Sequence, residues 1–368
     1  MKVAFFFGAL NRGGAESLVY DVCKKKGIAP FEIACIYRKE GDLTQSFKET
    51  GVELLKVGQE GKNVFRFLLS FRKTVLTSRI DIVHAQTGFN ALICVFSLLF
   101  THVRIITTLH GFSFANAPGW QRRIVYRKSR RLICVSEFEK SFYQNKWRLP
   151  LGNKLCVVYN GIDFSKLDDI SSDCPVTVDK DSLNMVMVGS FRSGRSQFFV
   201  CKVAKALSDG RIPFNLFFVG RREPSEHHRY DDCVDFCARH GLSDRVHFLG
   251  NRTDIPFLLK QMDLFIYASE HDTFGIAVLE AMASALPVLV NDWAVMKEIT
   301  NGGEYATLYE TDNVEDCVSK VISFLDKKAT EQDTLENECQ RVSRAVRERF
   351  SIENHIRGLD NVYSSCLN

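Results

Sequence analysis

The segment from Ser269 to Asn291 reads SEHDTFGIAVLEAMASALPVLVN. It opens on two carboxylates, Glu270 and Asp272, passes a Thr-Phe-Gly turn, and enters an apolar run from Ile276 to Ala285 with the character of a helix. Pro287 is expected to stop that helix, since it lacks an N–H and clashes with the preceding turn. Val288-Leu289-Val290 then reads as a buried strand. The order is loop, helix, strand. A helix N-terminus presents unbonded N–H groups and a partial positive charge, which suits a phosphate. Asp272 precedes that terminus and Glu280 lies inside the helix, eight residues on. Carboxylates so placed can grip sugar hydroxyls. Read alone, the segment also fits a plain helix with Asp272 as its cap and Glu280 solvated.

Working outward, the same alternation fills the chain. Strands are expected at Val3–Phe7, Glu32–Tyr37, Val52–Lys56, Ile80–His84, Arg104–Leu109, Leu132–Val135 and Lys154–Tyr159, with helical spacing between them. A second series begins at Asn184–Val188 and continues at Asn215–Val219, Val246–Leu249, Leu264–Tyr267 and Pro287–Val290. Strands alternating with helices predict parallel sheets covered on both faces, with ligands at the C-terminal strand ends. At 368 residues the chain is too long for one ordinary core. The polar stretch 166–183 reads as a linker, so residues 1–165 form one domain and 184–368 a second that includes the terminal helices.

Composition narrows the class. Hydrophobic content of 45% and charged content of 25% are those of a soluble globular protein. The N-terminal MKVAFFFGALNRGGAE lacks the apolar core and cleavage site of a secretory leader, and the longest apolar stretch, Ala91 to Phe100, is too short to span a membrane. The 12 cysteines are scattered, which points to thiols in a reducing compartment, and no second pair joins Cys233 and Cys237 at zinc spacing. A cytoplasmic location follows. The overall charge of +4 hides an asymmetry: residues 1–165 carry 25 Lys+Arg against 12 Asp+Glu, and the remainder 23 against 32. Trp120 to Arg131 concentrates Arg122, Arg123, Arg127, Lys128, Arg130 and Arg131, with Trp120, Ile124 and Val125 as an apolar edge. Phe65, Arg66, Phe67, Leu69, Arg72 and Lys73 form a second such stretch. Both fit an interfacial helix on an anionic membrane, with a solvated basic helix and a patch for an acidic glycan as alternatives.

Other strand ends carry candidate groups. Asn11-Arg12-Gly13-Gly14-Ala15-Glu16 follows the first strand, and its glycines allow close backbone approach to a ligand. The spacing is not that of the dinucleotide fingerprint, which disfavours a nicotinamide dehydrogenase. His84 closes one expected strand and His110 follows another, beside Gly111. Ser190-Phe191-Arg192-Ser193-Gly194-Arg195 follows the second domain's first strand, where guanidinium groups can clamp a diphosphate.

Together these pieces resemble the family 4 retaining glycosyltransferases of the GT-B fold, of the bacterial surface-polysaccharide type. The resemblance rests on Gly13-Gly14-Ala15-Glu16, Asp81-Ile82-Val83-His84, Thr108-Leu109-His110-Gly111, Tyr159-Asn160-Gly161-Ile162-Asp163, Met187-Val188-Gly189-Ser190-Phe191 and the 272–287 segment, in that order. It implies two doubly wound Rossmann-like domains facing across a cleft, the first binding acceptor and the second a nucleoside-diphosphate sugar, with UDP the family's commonest leaving group. By the same resemblance His110, Asp272 and Glu280 are catalytic, with Asp272 on the donor sugar and Glu280 on the ribose. Gly13, Gly14, Ser190, Arg195, Phe274, Gly275, Ile276 and Glu280 bind donor, and Glu16, His84 and Asn160 bind acceptor. It implies retention without a bound metal or cofactor, a glycan or lipid-linked acceptor, no nucleic acid, and a peripheral place on the inner membrane face. Ser190 stands where the family usually has Arg, Arg195 where it has Lys, and Asp272 where it has Glu. A sugar-nucleotide epimerase of the same fold and a non-catalytic sugar-nucleotide binder are the competing readings.

Overall fold

The computed structural model describes residues 1–58, 63–147, 152–168 and 176–367 and divides into two compact units. The first holds a seven-stranded parallel sheet in the order β3-β2-β1-β4-β5-β6-β7. Its strands are β1 (Lys2–Ala9), β2 (Glu32–Lys39), β3 (Glu53–Lys56), β4 (Ile82–Ala85), β5 (Arg104–Thr108), β6 (Arg131–Cys134) and β7 (Leu155–Val157). Along β1, Val3 to Phe7 are all buried, because both faces of the sheet are covered. Alternate residues serve opposite cores. Ala4 and Phe6 pack with Phe71, Val75, Cys94 and Val125 from the helices Val64–Thr77, Gly88–Ser97 and Gly119–Lys128. Val3, Phe5 and Phe7 pack with Leu18 and Val22 of the helix Gly14–Lys24.

The second unit holds a six-stranded parallel sheet in the order β10-β9-β8-β11-β12-β13. Its strands are β8 (Leu183–Val188), β9 (Phe214–Val219), β10 (Val246–Phe248), β11 (Leu264–Tyr267), β12 (Val288–Asn291) and β13 (Thr307–Tyr309). In both units the strand order reverses beside the first strand, between β1 and β4 and between β8 and β11. Such a switch point opens a crevice at the carboxyl ends of the strands. The expected α/β class with two doubly wound sheets is the architecture observed.

The domain boundaries differ from those expected. The units are Met1–Asp163 with Phe350–Asn368, and Phe164–Arg349. The last helix, Ile352–Leu367, therefore belongs to the first unit and not to the second. Ile352, Ile356, Leu359 and Tyr363 recur at helical spacing and share the core of Phe5, Leu18 and Ile33. The chain is pinned where it returns: Ile162 N donates to Phe350 O at 2.9 Å, and Ile352 N to Ile162 O at 3.1 Å. Of the expected linker, 169–175 lies outside the described residues, Ser165–Asp168 is helical and Leu183 already belongs to β8.

Candidate active site

In the second unit the site is built at the switch point. The loop after β8 is tied to the loop after β11. Ser196 N donates to Ala268 O (3.1 Å), Glu270 N to Gly194 O (3.1 Å) and Ser269 Oγ to Gly194 O (2.8 Å). Ser196 Oγ donates to Glu270 Oε1 at 2.9 Å. From beneath, the buried Asn291 side chain accepts from Ser269 N (3.0 Å) and donates to Ser269 O (2.8 Å), so the end of β12 fixes the same loop. A Cβ on Gly189, where the loop leaves β8, would displace the Arg195 guanidinium.

These ties bring Arg195 and Asp272 together, with Nη2 and Oδ1 3.9 Å apart. Tyr267 closes a triangle with them. Its hydroxyl donates to Asp272 Oδ2 at 2.5 Å, and the Arg195 guanidinium lies 5.8 Å over its ring. Burial, followed by Asp272, pushes the Tyr267 hydroxyl far above the usual tyrosine range, so it stays a donor. Trp293 Nε1 donates to the Asp272 carbonyl at 3.3 Å. Among the described residues Arg195 Nε is buried with no hydrogen-bond partner. A buried donor left unbonded is costly.

The helix that follows runs Ile276–Ala283, with Gly275 before it at φ 87°, in the left-handed region. A Cβ there would also lie 3.1 Å from the ends of Ile299 and Met296, and it is the left-handed φ that calls for glycine. The helix ends before Pro287. Ala285 turns left-handed at φ 57°, and the Ala283 carbonyl accepts from Ser343 Oγ (2.7 Å) and Arg347 Nε (2.9 Å). Glu280 is half-buried. Ser190 is half-buried too, and Gln197 Nε2 donates to its carbonyl at 3.1 Å.

The first unit carries the other candidates. His110 has φ 43°, and its Nε2 meets Gln86 Oε1 at 3.0 Å. Burial, followed by the field of His355, draws its pKa down to about 3, so it is a neutral imidazole. His84, Gln86, His110, Asn160 and His355 border one small cavity, and Asn160 Oδ1 is buried there with no partner among the described residues. Glu16 sits in the first turn of the Gly14–Lys24 helix, folded back over Gly13, and burial raises its pKa. His84 fits its expected acceptor role poorly. It is 2% exposed, and both ring nitrogens are engaged at 2.7 Å, Nδ1 with Tyr363 Oη and Nε2 with Thr108 Oγ1. It lies within β4 rather than beyond its end, and the terminal helix covers it.

Two family models match consecutive parts of the chain: Glycosyltransferase Family 4 over residues 12–166 and Glycosyl transferases group 1 over 175–348. The chain belongs to the family 4 glycosyltransferases. The enzyme is 23% identical over 321 residues to an Escherichia coli protein named UDP-Gal:alpha-D-GlcNAc-diphosphoundecaprenol alpha-1,3-galactosyltransferase, covering 81% of each chain. Over 132 residues, 35% of the chain and 36% of the relative, it is 31% identical to the lipopolysaccharide core mannosyltransferase LpsB of Rhizobium meliloti. Its fold matches that of a glycosyltransferase from Rickettsia africae (TM-score 0.86, 19% identity, 100% and 98% of the two chains). It also matches Anabaena HepE solved with UDP and glucose (TM-score 0.81, 17% identity, 99% and 100%).

Two structural features of this glycosyltransferase were not expected from its sequence. Glu139 is fully buried and accepts from Gly111 N (2.5 Å) and Val135 N (2.8 Å), while Tyr143 Oη donates to Gly111 O (2.7 Å). Together they clamp the His110 loop. Tyr267 reads only as the last residue of an apolar strand, and nothing local marks its hydroxyl as a partner of Asp272. The membrane-facing expectation also needs correction. Val125 is fully buried, and Arg72 is spent on the carbonyls of Ser97 and Leu99 (3.3 and 2.6 Å), so neither belongs to a surface patch.

Proposed function

We propose that the enzyme transfers a sugar, with retention of anomeric configuration and without a metal, from a UDP-sugar to a glycan or lipid-linked acceptor in surface-polysaccharide assembly. The observation that carries the donor half is the buried Arg195 Nε beside Asp272, ahead of a helix N-terminus at a sheet switch point. Breaking the bond between the anomeric carbon and the diphosphate oxygen builds negative charge on the leaving group. Arg195 and the first N–H groups of the Ile276–Ala283 helix meet that charge as it develops, which is where electrostatic catalysis is effective. Asp272, held by Tyr267, takes the hydroxyls of the donor sugar, and Glu280 the ribose. A donor phosphate oxygen accepts the acceptor's proton on the face the leaving group departs from, which retains configuration. Neutral His110 donates or accepts one hydrogen bond at the sugar and carries no charge to the reacting carbon.

The acceptor half rests on the activities for which the relatives are named and on the surface of the first unit. Val64, Phe65 and Leu69 on one helix and Trp120 on another are 67%, 78%, 62% and 55% exposed, among Arg66, Lys73 and Arg123. Exposed apolar residues among cations suit an anionic bilayer surface. Among the described residues no helix is long and apolar enough to cross a membrane. The test is release of nucleoside diphosphate across a panel of UDP-sugars with lipid-diphosphate-linked saccharides, in the presence of EDTA, with the product anomer read by NMR. An inverted product sinks retention, and loss of activity with EDTA sinks metal independence. No turnover with any pair overturns the donor and acceptor assignment.

A further inference from the structure

At the end of the first sheet opposite the His110 loop lies a cavity of about 390 Å³ with no carboxylate among the described residues that line it. Six cations border it: Arg104, Arg127, Lys128, Arg130, Arg131 and Lys154. They come from separate segments. Arg104 opens β5, Arg131 opens β6 and Lys154 immediately precedes β7, three neighbouring strands. Arg127 and Lys128 end the Gly119–Lys128 helix.

The ordinary reading of two cations at a helix C-terminus is that they complement its dipole. That covers Arg127 and Lys128 but not Arg130 and Arg131. The supports beneath them are rigid. Arg130 N donates to Ile105 O at 2.7 Å, and the buried Ser129 hydroxyl meets Thr107 Oγ1 at 3.0 Å. Lys154 Nζ is drawn inward, donating to the carbonyls of Tyr126 (2.9 Å) and Arg127 (3.2 Å). Burial and then Arg130 and Arg131 lower its pKa, a sign of repulsion in the cluster. Among the described residues Arg127, Lys128, Arg130 and Arg131 make no ion pair. Converging cations on fixed backbone, four of them with no ion pair among the described residues, match a multivalent oxyanion, because guanidinium groups bind phosphate oxygens in pairs.

We propose that this cavity is a binding site for a phosphoryl group of at least two negative charges, distinct from the donor site. The group belongs either to a soluble phosphate ester or to a lipid headgroup. The assignment does not depend on the membrane reading above.

The probe is inorganic pyrophosphate, titrated calorimetrically into the full chain at about 150 mM salt, where exposed charges beyond ~8 Å are screened. Wild type should bind it saturably. Arg127→Gln/Arg130→Gln, both exposed side chains, should bind about tenfold more weakly. Its ligand-free melting temperature should stay equal or rise, since like charges are removed. Arg130→Gln/Arg131→Gln should behave alike. Arg195→Ala should retain this binding. Equal affinity in wild type and both double variants, or loss of binding only in Arg195→Ala, overturns the site. A second arm uses vesicles containing phosphatidic acid. Release of bound enzyme by pyrophosphate assigns the lipid source, and failure to release it, with pyrophosphate binding intact, assigns a soluble ester. Either result upholds the cavity. Absence of vesicle binding alone removes the membrane reading and leaves the site standing.

Discussion

The Tyr267 hydroxyl donates to Asp272 Oδ2 across 2.5 Å, from the last residue of β11 to the loop that follows it. Tyr267 is fully buried, and its own carbonyl accepts from Tyr309 Oη at 2.8 Å. Asp272 is thus aimed by a residue that touches no solvent. Tyr267→Phe keeps the ring under Arg195 and removes one charge-assisted hydrogen bond, worth roughly 1.5–3 kcal/mol. We expect kcat/KM to fall about tenfold or more with an unchanged melting curve. Wild-type kinetics in Tyr267→Phe would show that Asp272 needs no such support.

Arg195→Ala should weaken UDP binding, and Arg195→Lys should keep part of it, since Lys carries the charge without the fork. Ser190→Arg is the companion, expected to tighten UDP. Calorimetry giving one affinity for wild type and Arg195→Ala would place the diphosphate elsewhere.

Glu280→Ala is expected to abolish measurable transfer while the enzyme still melts as wild type. The loss of a charged hydrogen bond to the ribose costs roughly 1.5–3 kcal/mol, and more where partners stay buried. Normal steady-state rates would return Glu280 to a structural role on its helix.

Acid should loosen the first unit. Burial lowers the pKa of His110 to about 3 and that of His355 to about 4, and it carries His84 well below its usual value, with His110 and His355 adding to it. The unfolded chain binds more protons at these sites. Their contribution is present above the unfolded value of ~6.5 and is lost as pH falls towards the folded values, by about 1.4 kcal/mol per histidine per pH unit at most. Glu139 runs the other way. Burial pushes it up to about 7, so its contribution is present below the unfolded carboxylate value and lost as pH rises through 7. Three histidines outweigh one carboxylate, so the urea midpoint should drop between pH 7 and 5, and less steeply in His110→Gln. A flat or rising midpoint on acidification would contradict the buried neutral imidazoles.

Phe65→Ser/Leu69→Ser/Trp120→Ser removes exposed apolar surface and none of the cations. The enzyme should float with anionic vesicles at low salt, and this variant should stay in the soluble fraction with unchanged melting. Flotation equal to wild type would mean that charge alone, or no membrane, accounts for the surface.

The sequence by itself determined the two parallel sheets. Runs such as Val3–Phe7 and Leu264–Tyr267 are continuous and apolar because both faces of each strand are covered, and that demand is written locally. It also offered Asp272, Glu280, Arg195 and His110 as candidates, since a loop at a strand end is legible from the order of strand, turn and helix. It missed β13, where Thr307, Leu308 and Tyr309 are exposed, half-buried and buried in turn and so form no continuous apolar run. Tertiary structure alone decided the rest. The return of the Ile352–Leu367 helix to the first unit depends on a match with Phe5, Leu18 and Ile33, hundreds of residues away in the chain. That return encloses His84, whose Nδ1 meets the Tyr363 hydroxyl. The Tyr267–Asp272 bond, the Glu139 clamp and the gathering of six cations from three strand starts and a helix end are likewise set by register between strands and by side-chain direction. Neither leaves a trace in the local periodicity of hydrophobic residues.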